Sequence, residues 1–310
     1  MKDYSHMPHL DPRPILVTGG TGGQGGSAAR HALQKGLGVR ALVRDPNSRA
    51  AQVLAAAGAE LVKGSFEDGA ALTAAMEGVR SVFSMQQDGA PLDDLARLID
   101  AAVSAGVEHY VHTTVSGVRQ QEASAGHAAD AAKGDYWPTK IAQERMVRDA
   151  PFRYRTFLRP ALIIDNLVLR APFMYPRLAT HGDLLVAMPA DQPVSFISYD
   201  TIGRVAAEAL ADPERFDGAE IELADSYSSY GELAAALTEA SGKAVSVTSV
   251  SLDEAMELGL LPRVAHSHMW LTEVGYPARP EMLEPFGVQP LSLLDWVRQN
   301  KEGIEIGSPD

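Results

Sequence analysis

The sequence predicts an α/β protein: a doubly wound parallel sheet with a smaller, partly interleaved C-terminal domain. Three features carry the prediction. From Pro14 onward, short apolar runs alternate with helical stretches, the pattern that strand–helix–strand units leave in a chain. Most of these runs are apolar and β-branched, as strands covered on both faces are. The first run opens into "PILVTGGTGGQGGSAARHAL", Pro14 to Leu33, with glycines at 19, 20, 22, 23, 25 and 26.

In chain order, strands are expected at Ile15–Thr18, Val39–Val43, Glu60–Lys63, Ser81–Ser84, Tyr110–Thr113 and Arg155–Leu158. The helices between them are expected near Gly23–Gln34, Arg49–Ala57, Ala70–Met76, Leu92–Ala105 and Thr139–Asp149. Beyond Leu158 the rhythm breaks into a stretch with five prolines, "RPALIIDNLVLRAPFMYPRLATHGDLLVAMPADQPVSF", read as loops and short elements on the substrate side. Regular elements return as a helix at Thr201–Leu210, a strand at Glu220–Leu223, a helix at Ser229–Ser241, a strand at Ala244–Ser249 and a helix at Leu291–Asn300. The expected organisation is a loose tail over 1–13, a nucleotide-binding domain over 14–160, and a smaller region over 161–310. Roughly residues 194–224 return to the first domain.

The composition narrows the function. The 310 residues contain no cysteine, which removes disulfides, thiolate metal sites and cysteine nucleophiles and fits a cytoplasmic protein. A net charge of −13 argues against broad contact with nucleic acid or anionic membrane. No apolar run is long enough to span a bilayer. The oligomeric state leaves no mark in the sequence.

The glycines have a specific use. Gly19, Gly22 and Gly25 are spaced G-x-x-G-x-x-G between a strand and a helix. Glycine permits positive φ in the tight turn and lets backbone approach a pyrophosphate with no Cβ in the way. The following helix points free N–H groups and its positive dipole end at the anion. Gly20, Thr21, Gly23 and Gln24 complete the expected cradle. A P-loop is excluded, because it requires Gly-Lys-Ser/Thr and no lysine follows until Lys35.

"GGTGGQGGSAARHAL" resembles the opening of the NmrA-like family, atypical members of the short-chain dehydrogenase/reductase superfamily. "VRALVRDP" at 39–46, "GAELVKGSFED" at 58–68, "YRTFLRP" at 154–160 and "SFISYDTIG" at 195–203 extend the resemblance over most of residues 14–300. It implies a Rossmann-type domain that binds NAD(P), with a small C-terminal domain closing over the nicotinamide.

The residue that closes the second strand selects the dinucleotide. An acid there bonds the ribose 2′-OH of NAD, whereas an arginine holds the 2′-phosphate of NADP. Arg44 occupies that point, so NADP(H) is the preferred cofactor; Asp45 next to it leaves NAD(H) possible, and an Arg44–Asp45 surface pair is the alternative. The family resemblance adds Arg49 to the phosphate grip and puts Ser65 where an acid often bonds the adenine amine. Glu67 and Asp68 fit a cap on the next helix. Ligands sit at the carboxyl ends of parallel strands, so Ser84, Met85 and Gln86 are expected along the pyrophosphate and nicotinamide ribose.

"GDYWPTKIAQERMV" contains Tyr136 and Lys140 in the Y-x-x-x-K pattern of the wider superfamily. One helical turn puts both on one face. The lysine cation favours ionisation of a phenol whose reference pKa is about 10, so that Tyr136 acts as acid or base and Lys140 also bonds the nicotinamide ribose. Thr114 and Ser116, at the end of the fifth strand, are candidates to orient a substrate carbonyl. Pro138 inside the motif is tolerated only in a helix's first turn, which a helix capped by Asp135 satisfies. A helix starting at Pro138 leaves Tyr136 and Trp137 to pack under the loop.

Other candidates are His266 and His268, two apart with no identifiable third ligand, so that no metal is expected. Met174, Tyr175 and Met188 fit an apolar pocket or core, and Asp200 an N-cap. Two functions follow. One is an NADPH-dependent reductase of a small carbonyl, quinone or conjugated substrate. The other is a non-catalytic NAD(P) sensor that binds a regulatory protein partner.

Overall fold

The structure is a computed structural model that describes residues 11–124 and 135–308. Residues 1–10 of the expected tail lie outside the described residues. The chain divides into two compact units. Unit 1 comprises the described residues up to Thr113, with Gln143–Leu158 and Ile202–Glu220; unit 2 comprises the described residues of 114–142, 159–201 and 221–310.

The strands are β1 (Ile15–Val17), β2 (Val39–Val43), β3 (Glu60–Lys63), β4 (Ser81–Met85), β5 (His109–Thr113), β6 (Tyr154–Pro160), β7 (Leu162–Ile163), β8 (Asp183–Val186), β9 (Pro193–Ile197), β10 (Ala219–Leu223), β11 (Ser226–Ser229) and β12 (Ser246–Ser249). Seven of them form one sheet in the order β10-β6-β5-β4-β1-β2-β3. β1 pairs in parallel with β2 and β4, β2 with β3, β4 with β5, and β5 with β6. This is the predicted doubly wound sheet. Its strand order reverses beside β1, which opens a crevice at the carboxyl ends of β1 and β4.

The residues explain the burial. β1, β4 and β5 are almost wholly buried, whereas β3, at the sheet edge, exposes Glu60 and Lys63. The first four helices are α1 (Gly23–Gln34), α2 (Arg49–Ala56), α3 (Gly69–Met76) and α4 (Leu92–Ser104). Leu16, Leu72, Met76, Leu95, Leu98 and Phe157 pack together as the core of this unit. Ser48 and Asp68 cap α2 and α3 by accepting from Ala51 N and Ala71 N, the role expected for the acid.

α5 (Val118–Ala123) and α6 (Tyr136–Asp149) follow. α6 starts three residues earlier than predicted. Thr139 N donates to Asp135 O at 2.9 Å, so Pro138 occupies the first turn, where its missing N–H has no intrahelical partner to lose.

Unit 2 holds a three-stranded sheet, β11-β9-β7, and a two-stranded sheet, β12-β8. β8 and β9 are short elements within the proline-rich stretch, and β11 and the helices Leu252–Glu257 and Pro262–Glu273 fall where the sequence pattern gave no element. Tyr175 and Met188 are buried in its core beside Trp137, Tyr230 and Trp270, and Met174 packs against them. Core packing is therefore their role. Asp200 lies inside the helix Tyr199–Ala211; the preceding Ser198 is the cap, its Oγ accepting from Thr201 N at 3.2 Å.

Candidate dinucleotide site and catalytic residues

The glycine turn in unit 1 is built as phosphate binding requires. Thr18 ties the ends of β1 and β4 together: its hydroxyl donates to Phe83 O at 3.3 Å and accepts from Met85 N at 3.2 Å. Gly19 follows with φ +64°, a conformation that favours glycine. Gly22 N donates to Gly19 O at 2.8 Å, closing the turn. A Cβ on Gly25 would collide with the Gly19 carbonyl and lie 2.5 Å from Thr18 O, so α1 docks on the strand end only with glycine there. On Gly22 a Cβ would meet only Gly19 O, at 3.3 Å, which leaves the outer side of the turn open to a ligand.

The N-terminus of α1 has no side-chain cap and no acid in its first turn. The N–H groups of Gly23, Gln24 and Gly25 precede any intrahelical acceptor, so the helix presents bare donors to an anion. Gln24 Oε1 accepts from the Thr113 hydroxyl at 2.9 Å. Thr18 and Thr113 were not singled out in the sequence; a threonine closing each apolar run was the available signal.

Arg44 and Arg49 are both exposed. Asp45 turns its carboxylate to Asn47 N at 2.9 Å, and among the described residues no acid pairs with Arg44. Arg49 is the first residue of α2, where a cation opposes the helix dipole by about 0.3–1 kcal/mol. An anion between the two arginines would relieve that cost. Ser65 is half-buried after β3, its carbonyl accepting from Asp68 N at 3.2 Å.

The three residues at the end of β4 differ. Ser84 is fully buried with Oγ 3.2 Å from His112 Nδ1. Met85 is half-buried, and its Cε would lie 3.4 Å from a Cβ on Gly19. Gln86 is 4% exposed, with neither end of its amide hydrogen-bonded. A buried amide without partners is costly and fits a site whose ligand supplies both a donor and an acceptor. The open turn, the bare helix terminus and this orphaned amide together fit a dinucleotide.

In unit 2, Tyr136 and Lys140 share one face of α6, with Lys140 Nζ 5.6 Å from the centre of the Tyr136 ring. Lys140 is 5% exposed and Tyr136 is half-buried. The Tyr136 ring meets Trp137 edge-on at 5.2 Å, and Trp137 packs on Trp270 at 4.9 Å. Thr114 is buried. Ser116 is buried completely: its N–H donates to Pro160 O at 2.9 Å and its Oγ accepts from Ala278 N at 3.4 Å. Gly117, at φ +85°, donates its N–H to Glu222 Oε2 at 3.3 Å, and Glu222 lies 3.6 Å from Arg159. These contacts fix the loop after β5.

His266 Nδ1 bonds Pro262 O at 2.7 Å, and His268 Nδ1 accepts from Ala187 N at 3.1 Å. Among the described residues no His, Cys, Asp or Glu group could hold a metal ion. One unforeseen acid stands out in unit 2. Burial, reinforced by Asp225 and Asp200, raises the Asp165 carboxyl to about 6, although it accepts from Tyr199 N at 2.9 Å. Among the described residues no helix is long and apolar enough to cross a membrane.

The strand order and the glycine turn define a Rossmann-type dinucleotide-binding α/β fold. The chain belongs to the NmrA-like family, whose model matches residues 12–297. It is 30% identical over 253 residues to an NAD(P)H azoreductase of Xenophilus azovorans, covering 78% of this chain and 79% of that protein. It resembles the NADPH-dependent quinone oxidoreductase QOR2 of Escherichia coli in complex with NADPH, with TM-score 0.72 and 25% identity over 92% of this chain and 99% of the other. It also shares the fold of NmrA, a negative transcriptional regulator solved with NADP, with TM-score 0.71 and 19% identity over 93% and 95% of the two chains.

Proposed function

We propose that the protein is an NADPH-dependent reductase of a small carbonyl, quinone or conjugated acceptor. The reading is carried by one observation, the Tyr136–Lys140 pair on a common helical face, in a chain 30% identical to an NAD(P)H azoreductase. NADPH, when bound, supplies the hydride.

The residues of this chain do the rest. The donors at the start of α1 take the pyrophosphate, and Arg44 and Arg49 hold the 2′-phosphate. Gln86 satisfies its amide on the bound dinucleotide. Lys140 bonds the nicotinamide ribose and keeps a positive charge beside the Tyr136 ring. Tyr136 then donates a proton to the acceptor as hydride arrives. The fixed loop after β5 brings Thr114 to the acceptor oxygen.

The fold likeness to the regulator NmrA supports a second reading, a dinucleotide sensor without turnover. Loss of NADPH absorbance across a panel of quinones, aldehydes and azo compounds separates the two. Turnover with any acceptor supports the reductase. No turnover, together with NADPH-dependent protection from protease, supports the sensor.

A further inference from the structure

Arg279, in unit 2, is held in an unusual setting. Its guanidinium carbon lies over the Tyr227 ring, 3.7 Å from the ring centre, close enough for a strong cation–π contact. One nitrogen, Nη1, takes every hydrogen bond the side chain makes: to Tyr276 O at 2.7 Å, Ala278 O at 2.7 Å and Ser195 Oγ at 3.2 Å. Nε and Nη2 have no acceptor among the described residues, and no acid pairs with this arginine. The side chain is only half-buried, and Tyr227 is 45% exposed.

Two features make this unlike an ordinary surface arginine. The fork is held rigid by a ring face and three acceptors, so little rotamer entropy remains to be lost when a ligand docks. The chain carries 40 acidic residues against 27 basic ones, yet none among the described residues pairs with this guanidinium. The Nε–Nη2 edge is the one that grips a carboxylate, sulfonate or phosphate with two parallel bonds.

The location relates the edge to the loop after β5. Ala278, the residue before Arg279, donates its N–H to Ser116 Oγ at 3.4 Å. The Arg279 guanidinium folds back onto the carbonyl of that same residue. Pro277, one position earlier, would lie 3.5 Å from a Cβ on Gly117. Segment 276–279 therefore packs on the loop after β5 that carries Thr114 and Ser116.

We propose that Arg279 is a specificity residue that receives an anionic group, carboxylate, sulfonate or phosphate, on the small-molecule substrate. The proposal rests on the reductase reading above. The test compares 1,2-naphthoquinone with 1,2-naphthoquinone-4-sulfonate as acceptors for the wild type, Arg279→Met and Arg279→Lys. The ratio of kcat/KM for the sulfonated acceptor to that for the neutral one should fall by roughly tenfold or more in Arg279→Met, the range for losing a charge-assisted bidentate contact. Arg279→Lys, which keeps the charge and the loop but not the fork, should lose part of it. An unchanged ratio in both variants overturns the proposal.

If neither acceptor turns over, the reductase reading fails, and equilibrium binding of 2-naphthalenesulfonate, read by tryptophan quenching, decides the subsite alone. Binding by the wild type that both variants weaken upholds the anion site. No binding by the wild type, or inorganic sulfate binding as tightly as the sulfonate, overturns a substrate subsite.

Discussion

Lys140 Nζ lies 5.6 Å from the centre of the Tyr136 ring, one helical turn away, and it does so because α6 begins at Tyr136 rather than at Pro138. The proline that threatens the motif in the sequence sits in the first turn, where a helix tolerates it. The pair therefore shares one face of α6, the arrangement the proposed proton transfer requires.

Tyr136→Phe should keep NADPH affinity within about threefold while turnover falls roughly a hundredfold, the usual share of a general acid. Lys140→Ala should weaken both, because the lysine serves the ribose and the tyrosine. Steady-state kinetics with an independent NADPH titration separate the effects. Full turnover by Tyr136→Phe would move the proton source elsewhere.

Gly25 and Gly22 should fail differently. A Cβ on Gly25 runs into the Gly19 carbonyl, so Gly25→Ala should destabilise unit 1 by about 1–3 kcal/mol, the cost of overpacking. Gly22→Val faces only Gly19 O at 3.3 Å and should melt close to the wild type yet lose NADPH binding. A Gly22→Val protein that binds normally removes the turn from the phosphate site.

Arg44→Asp should reverse or erase a preference for NADP(H) over NAD(H). The expected loss toward NADPH is about 1.5–3 kcal/mol, the worth of hydrogen bonds to a charged group. Paired titrations with the two cofactors measure it, and equal curves for the unmodified protein count against both arginines.

Acid should destabilise unit 1 through His109. Burial, with the Arg80 cation adding to it, holds this imidazole down to about 3 from 6.5. The Thr156 hydroxyl donates to Phe216 O at 2.9 Å, so it accepts from His109 Nε2–H at 2.9 Å, while burial and the Arg80 cation favour the neutral ring. The folded value is depressed, so the unfolded chain binds the extra proton between these limits. Stability is complete above 6.5 and falls toward pH 3 by up to about 1.4 kcal/mol per pH unit. Denaturant unfolding of His109→Gln should show a shallower acid limb than the wild type. Parallel limbs would refute the assignment.

The sequence by itself determined the parallel sheet, the glycine turn, the cap on α3 and the absence of thiol chemistry. These are local: periodicity, φ preference and residue type act over a few neighbouring positions. Only the tertiary structure decided which side chains of those elements are available. Ser84 and Met85 are adjacent on β4, yet Ser84 turns to His112 and Met85 to Gly19, because the pleat sends neighbours to opposite faces. Unit 2 was hardest to read. β11, the polar string "SYSS", becomes a strand only by pairing with β9, Tyr227 opposite Ser195. That pairing brings the Tyr227 ring to Arg279, 52 positions further along the chain. Contacts between segments so far apart leave no period in the sequence, since the partner, not the neighbour, supplies the free energy.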